Sequence, residues 1–138
     1  MLISDEKLAE ILAASRSIAV VGLSENPAAT SHSVSAYMQR QGYRILPVNP
    51  AARQVLGEQA VPSLADLPGP ADIVNVFRRP EHVAGVAHST LALPWKPKLL
   101  FVQLGITSPE AMALMETSDI PYIEDRCIKI EHQRLGRR

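Results

Sequence analysis

Short apolar runs alternate with segments of helical spacing along this chain, and that alternation sets the first expectation for its architecture. Ile18 to Val21 (IAVV) is a run of the kind buried on both faces of a parallel sheet, and Gly22 ends it. Tyr43 to Val48, Ala71 to Phe77, Lys98 to Gln103 and Pro121 to Glu124 read as four further strands. Between them the spacing turns helical. Ser4 to Ala14 predicts an N-terminal amphipathic helix within residues 1–15, with Leu8, Ile11 and Leu12 on one stripe. Ser4 caps it, and Asp5 and Glu6 sit favourably in its first turn.

A second helix is expected from His32 to Gln41, capped by Ser31, facing inward with Val34, Tyr37 and Met38 and stopped by Gly42. Ala51 to Ala60 reads as a polar connection, and Ser63 caps a single helical turn over Leu64 to Leu67. Pro80 suits the first position of a helix through Leu91. Ser108-Pro109-Glu110 starts another that Met112 to Met115 carries on. Asp125 to Leu135 fits a strand, from the alternation of Ile128 and Ile130, equally well as a terminal helical turn. Residues 133–138 read as a frayed tail. Five short strands separated by helices predict an α/β chain: a single Rossmann-like three-layer domain over residues 1–138 with a parallel five-stranded sheet. With strands counted in chain order, right-handed crossovers favour 3-2-1-4-5.

Composition narrows the function classes. Apolar residues make up 46% and charged residues 20%, so disorder is not expected. Lys plus Arg equals Asp plus Glu at 14 each, which argues against a dedicated nucleic-acid or anionic-membrane binder. The apolar runs fall well short of the roughly 20 residues a membrane helix needs. No signal-peptide pattern opens the chain, which makes the cytoplasm the expected location. One cysteine, Cys127, excludes an intramolecular disulfide framework.

Ligands in such sheets bind beyond the carboxyl ends of the strands, where the strand order reverses. That rule nominates Gly22, Leu23 and Ser24 after the first strand, with Thr30 and Ser31 at the following helix start. Val48, Asn49 and Pro50 end the second strand, with Arg53 close behind, and Phe77, Arg78 and Arg79 end the third. Gln103, Leu104 and Gly105 end the fourth. Hydroxyls, Gly and Arg suit phosphate held by backbone N–H groups and guanidinium forks. The first loop, GLSENP, lacks G-x-G-x-x-G, Asn49 stands where NAD binding wants an acid, and no G-K-[ST] occurs. NAD and ATP are therefore not the leading ligands. His32, His82, His88 and His132 show no metal-ligand spacing, and no catalytic set emerges.

The segments VVGLSENP, SHSV, GYRILPVNP, DIVNVFRR and DRCIKIEH, in this order, resemble the small stand-alone CoA-binding proteins of bacteria and archaea. These are similar to the N-terminal CoA-binding domain of the succinyl-CoA synthetase alpha subunit. The resemblance runs from Ile18 to His132. It implies a Rossmann-like fold holding coenzyme A, with Gly22, Ser24 and Ser31 near the phosphates. It places Val48, Asn49 and Pro50 beside the adenosine, Phe77 and Arg78 on the next rim, and Gln103 to Gly105 toward the pantetheine arm. The synthetase domain has a Lys two residues after the Pro that matches Pro50; Ala52 stands here, so Arg53 would have to supply that charge. The phosphorylated His of the synthetase lies in a second domain, so ligase activity does not carry over. Cys127 reads either as a small buried apolar side chain or as a thiol near the coenzyme's own sulfur, flanked by Arg126 and Lys129. The expected function is binding of CoA or an acyl-CoA, without catalysis or in a regulatory role. The alternatives are an acyl-CoA enzyme subunit whose partner supplies catalysis, and an NAD(P)-binding redox sensor. A homodimer or protein partner is left open.

Overall fold

The computed structural model describes residues 3–135; residues 136–138 of the expected tail lie outside the described residues. Five parallel strands form the sheet: β1 (Ser17–Val21), β2 (Arg44–Val48), β5 (Ile73–Val76), β6 (Leu99–Gln103) and β7 (Tyr122–Arg126). Two-residue strands β3 (Gln54–Val55) and β4 (Glu58–Gln59) make a small separate hairpin inside the expected polar connection. The helices are α1 (Asp5–Ala14), α2 (Thr30–Arg40), α3 (Pro80–Leu91), α4 (Pro109–Glu116) and α5 (Ile128–Leu135), with a 3-10 turn at Leu64–Asp66.

Strand alternation explains why the sheet is buried on both faces. Ile18, Val20, Ile73, Leu99 and Phe101 point into a core shared with α1, α2 and α5. Their neighbours Ala19, Val21, Val74, Leu100 and Val102 point into a second core beneath α3 and α4. Each large apolar side chain so buried contributes about 1.5–3 kcal/mol, so these continuous apolar runs fix strand position. Ser4 caps α1 as its sequence predicts, its Oγ accepting the Lys7 N–H at 3.1 Å.

Four expectations need correction. The sheet order is β2-β1-β5-β6-β7, which in the numbering of the five main strands is 2-1-3-4-5 and not 3-2-1-4-5. Pro47 supplies the physical reason. The Arg44 N–H donates to the Arg16 carbonyl of the β1 side at 2.8 Å, so by the period of two the position-47 nitrogen faces away from β1. A proline there can donate to no further strand, which makes β2 an edge. Ser31 does not cap α2. The cap position is Ala29, and Ser31 lies inside the first turn. At 63–66, Ser63 makes no backbone cap; its Oγ donates to the Asp66 carboxylate at 2.8 Å. Residues 128–135 are helix α5, which settles the ambiguous C-terminal segment and removes 133–135 from the expected frayed tail.

Candidate functional site

With β5 beside β1, the order reverses between these two strands, since α2 leads from β1 outward to β2 while α3 leads from β5 toward β6. The crevice beyond their carboxyl ends is where ligands bind in such sheets. Gly22 and Phe77 meet there. Gly22 has φ +88°, and a Cβ built on it would lie 2.2 Å from the Phe77 carbonyl oxygen. Both the backbone conformation and the close approach therefore require glycine. The Phe77 N–H donates to the Val21 carbonyl at 2.8 Å, while its half-buried ring packs against the α1/α2/α5 core.

The loop between β1 and α2 is fastened from several sides. The Ser24 N–H donates to Ser31 Oγ at 3.0 Å, and Ser24 Oγ accepts the Asn26 N–H at 3.0 Å. Asn49 Nδ2 donates to the Leu23 carbonyl at 2.9 Å, while its Oδ1 accepts the Ala51 N–H at 2.9 Å. Both ends of that amide are thus engaged by backbone, so Asn49 holds the first loop against β2. Glu25 ties the same loop to the β3/β4 hairpin by accepting the Arg53 N–H at 2.7 Å and the Gln54 N–H at 3.3 Å. The Arg53 N–H, then that of Gln54, hold the Glu25 carboxyl below its ordinary range; desolvation opposes them and the Arg53 charge adds to them. What stays open is the start of α2. The His32 and Ser33 N–H groups turn back to the Ala29 carbonyl, both at 3.1 Å, while those of Thr30 and Ser31 meet no acceptor within the helix and no side chain caps them. Together with the helix dipole they form an anion-receptive corner at Thr30 and Ser31.

Beside this corner lies a cleft of ≈ 320 Å³. Its apolar walls are Val21, Val48, Pro50, Pro62, Leu64 and Val86, and its polar groups are Ser63, Arg78, His82 and Ser89. Of the residues nominated from sequence, Val48, Pro50 and Arg78 line it. Gly22, Leu23, Ser24, Thr30, Ser31, Asn49 and Phe77 build the adjoining loop corner. Leu23 points its side chain fully into the core, so only its backbone is on offer. Arg53 is exposed on the hairpin side, outside the cleft lining. Gln103 and Gly105 lie further along the carboxyl edge, at the end of β6. Gly105, at φ +86°, donates its N–H to Asp125 Oδ1 at 2.7 Å.

Sequence reasoning missed Pro62, Ser63, Leu64, His82, Gly85, Val86 and Ser89. Positions 82, 85, 86 and 89 share the spacing of one helix face, so α3 presents a single stripe to the cleft. The signal was available only through the correct strand order, which places α3 over the reversal. The cations expected to flank Cys127 are engaged elsewhere. Arg126 Nη1 pairs with Glu131 at 3.0 Å, and Lys129 Nζ stands 5.4 Å from the Tyr37 ring centroid.

No helix of the described residues is long and apolar enough to cross a membrane. Comparison with known proteins places this geometry in a family. The chain is 45% identical over 129 residues, 94% of each chain, to the uncharacterized protein YneT of Bacillus subtilis strain 168. Its fold superposes on the structure of cell-free ID.343 from Thermus thermophilus with a TM-score of 0.91 at 40% identity, covering 96% of this chain and 99% of that one. A hypothetical protein from Pyrococcus horikoshii OT3 matches with a TM-score of 0.90 at 29% identity, covering 96% and 92%. The family described as a CoA binding domain matches residues 16–133, nearly the whole chain, and the crevice and cleft lie within that span; this protein belongs to the CoA-binding domain family.

Proposed function

We propose that this protein binds coenzyme A or an acyl-CoA at the β1/β5 reversal as a non-catalytic or regulatory ligand-binding module of the cytoplasm. The observation that carries the reading is the pairing of an uncapped α2 N-terminus with an apolar-walled cleft whose rim holds Arg78. An anion at the helix start and a flat apolar group between Pro50, Pro62 and Val86 are what a nucleotide with a pyrophosphate offers. The pyrophosphate sits at Gly22, Ser24, Thr30 and Ser31, the adenosine at Val48 and Pro50, and Arg78 meets a phosphate. Gln103 and Gly105 face the pantetheine arm. Asn49 shapes the loop, and Arg53 supplies charge only from the outer rim.

Asn49 also weighs against a dinucleotide, because a neutral amide tied to the Leu23 carbonyl and the Ala51 N–H stands where an acid would hold a ribose hydroxyl. Titration calorimetry with CoA, acetyl-CoA, dephospho-CoA, NAD and ATP tests the proposal. CoA and acetyl-CoA are expected to bind and NAD not. Binding of NAD with no response to CoA would overturn it.

A further inference from the structure

Gln103 carries a polar atom that the protein itself leaves unanswered. The residue is 6% exposed, and its Oε1 has no hydrogen-bond partner. A buried carbonyl of this kind calls for an N–H donor. Leu99 and Phe101 of the same strand point into the α1/α2/α5 core, so Gln103, two residues further, aims to that face at the carboxyl end. Its cross-strand neighbour is Arg126, reached through a one-residue irregularity of β7 at which Asp125 adopts φ +59°. The next residue is Cys127. It packs in the same core, 7% exposed, and its carbonyl accepts the Glu131 N–H at the start of α5. The orphan acceptor and the chain's single thiol thus share one face and one end of the sheet, a strand apart.

We propose that Cys127 is a site of reversible thiol–disulfide exchange with the coenzyme's own terminus. The inference rests on the CoA reading above. From the reversal at β1 to β7 is three strand spacings, about 14 Å, along the carboxyl edge. A pantetheine arm laid along that edge carries amide N–H groups past Gln103 and ends in sulfur beside Cys127. When the ligand is a coenzyme A disulfide, the Cys127 thiolate attacks the nearer sulfur. The new Sγ–S bond forms as the old S–S bond breaks, and the departing coenzyme thiolate takes up, through solvent, the proton that Cys127 gave up. The disulfide is the oxidant, and no other is needed. With one cysteine in the chain there is no resolving thiol, so the adduct persists until an external thiol reverses the exchange. Burial of Cys127 confines the reaction to disulfides whose remainder the site binds.

Intact-mass measurement on the full chain, incubated with coenzyme A disulfide or with glutathione disulfide, tests this, with CoA titration calorimetry run on the same samples. One coenzyme adduct on Cys127 is expected, reversed by dithiothreitol and absent in C127A, which still binds CoA. Formation should be at least about tenfold faster than with glutathione disulfide, because binding makes the exchange effectively intramolecular. Q103L removes the orphan acceptor without leaving a new one, so it should fold and form the adduct more slowly, by up to about tenfold. Calorimetric CoA binding without an adduct, or equal rates with both disulfides, would overturn the exchange and leave the CoA reading standing. Absence of CoA binding would overturn both.

Discussion

The two ends of the sheet treat their polar groups in opposite ways. At the amino end, the Asp72 carboxylate accepts the Arg16 N–H at 2.7 Å and the Ser17 N–H at 3.2 Å, and its own N–H donates to Ser17 Oγ at 3.0 Å. Lys98 Nζ stands 3.7 Å from the same carboxylate, and the Lys98 N–H donates to the Asp72 carbonyl. Tyr43 OH closes on the Leu12 carbonyl at 2.6 Å. Donors and acceptors there satisfy one another. At the carboxyl end the α2 N-terminus is uncapped, Gln103 Oε1 is unpartnered, and Arg78 and His82 open into a cleft. One end closes on itself while the other keeps groups wanting partners, the division expected if the proposed binding uses the carboxyl end and the amino end serves stability alone.

Substitutions should separate the two ends accordingly. The largest effect is expected at Gly22, where the proposed binding corner and the fold coincide. Gly22→Ala combines a left-handed backbone with a clash against the Phe77 carbonyl, and should cost about 3 kcal/mol or more. A urea unfolding series reads this, and an unshifted midpoint would mean the corner yields. Asp72→Ala should lower stability by roughly 2 kcal/mol through unmet N–H groups at Arg16 and Ser17, with CoA affinity unchanged. Arg78→Ala should do the reverse, weakening CoA binding about 10- to 100-fold by calorimetry with an unaltered melting temperature. If both variants lost stability and affinity together, the contrast between the ends would fail.

Glu25 gives the smallest effect, on the clamp between the first loop and the hairpin. Its folded-state pKa lies below the ordinary value of 4.5, because the N–H groups of Arg53 and Gln54 favour the carboxylate. A depressed carboxyl pKa stabilises the fold fully above the unfolded value and loses that contribution as pH falls through the folded value. Wild type should therefore outlast Glu25→Gln in thermal melts above pH 4.5, with the difference vanishing in acid. An advantage that persisted at low pH would point to packing and not charge.

Much of this was legible in the chain. The apolar runs located all five main strands, because a strand buried on both faces is apolar along most of its length; β7 alone runs on past the expected Glu124 through Asp125 and Arg126. Ser4, Pro80 and Ser108-Pro109 marked helix starts for reasons confined to a few neighbouring residues. Ser31 misled for the opposite reason. A hydroxyl can cap its own helix or accept an N–H from seven residues upstream, and only the closed loop shows that Ser24 claims it. Pro47 already marked β2 as an edge strand, which excludes the order 3-2-1-4-5 but leaves the placing of the other strands to the packed core.

By itself, then, the sequence determined the α/β class, the strand positions and the need for glycine at the turn after β1, since these depend on periodicity and on backbone chemistry local to each segment. Tertiary structure decided the strand order, the stripe of α3 that walls the cleft, and the shared face of Gln103 and Cys127. Those depend on which strand lies beside which, and pairing partners are chosen by side-chain burial summed over the whole core and not by any one segment.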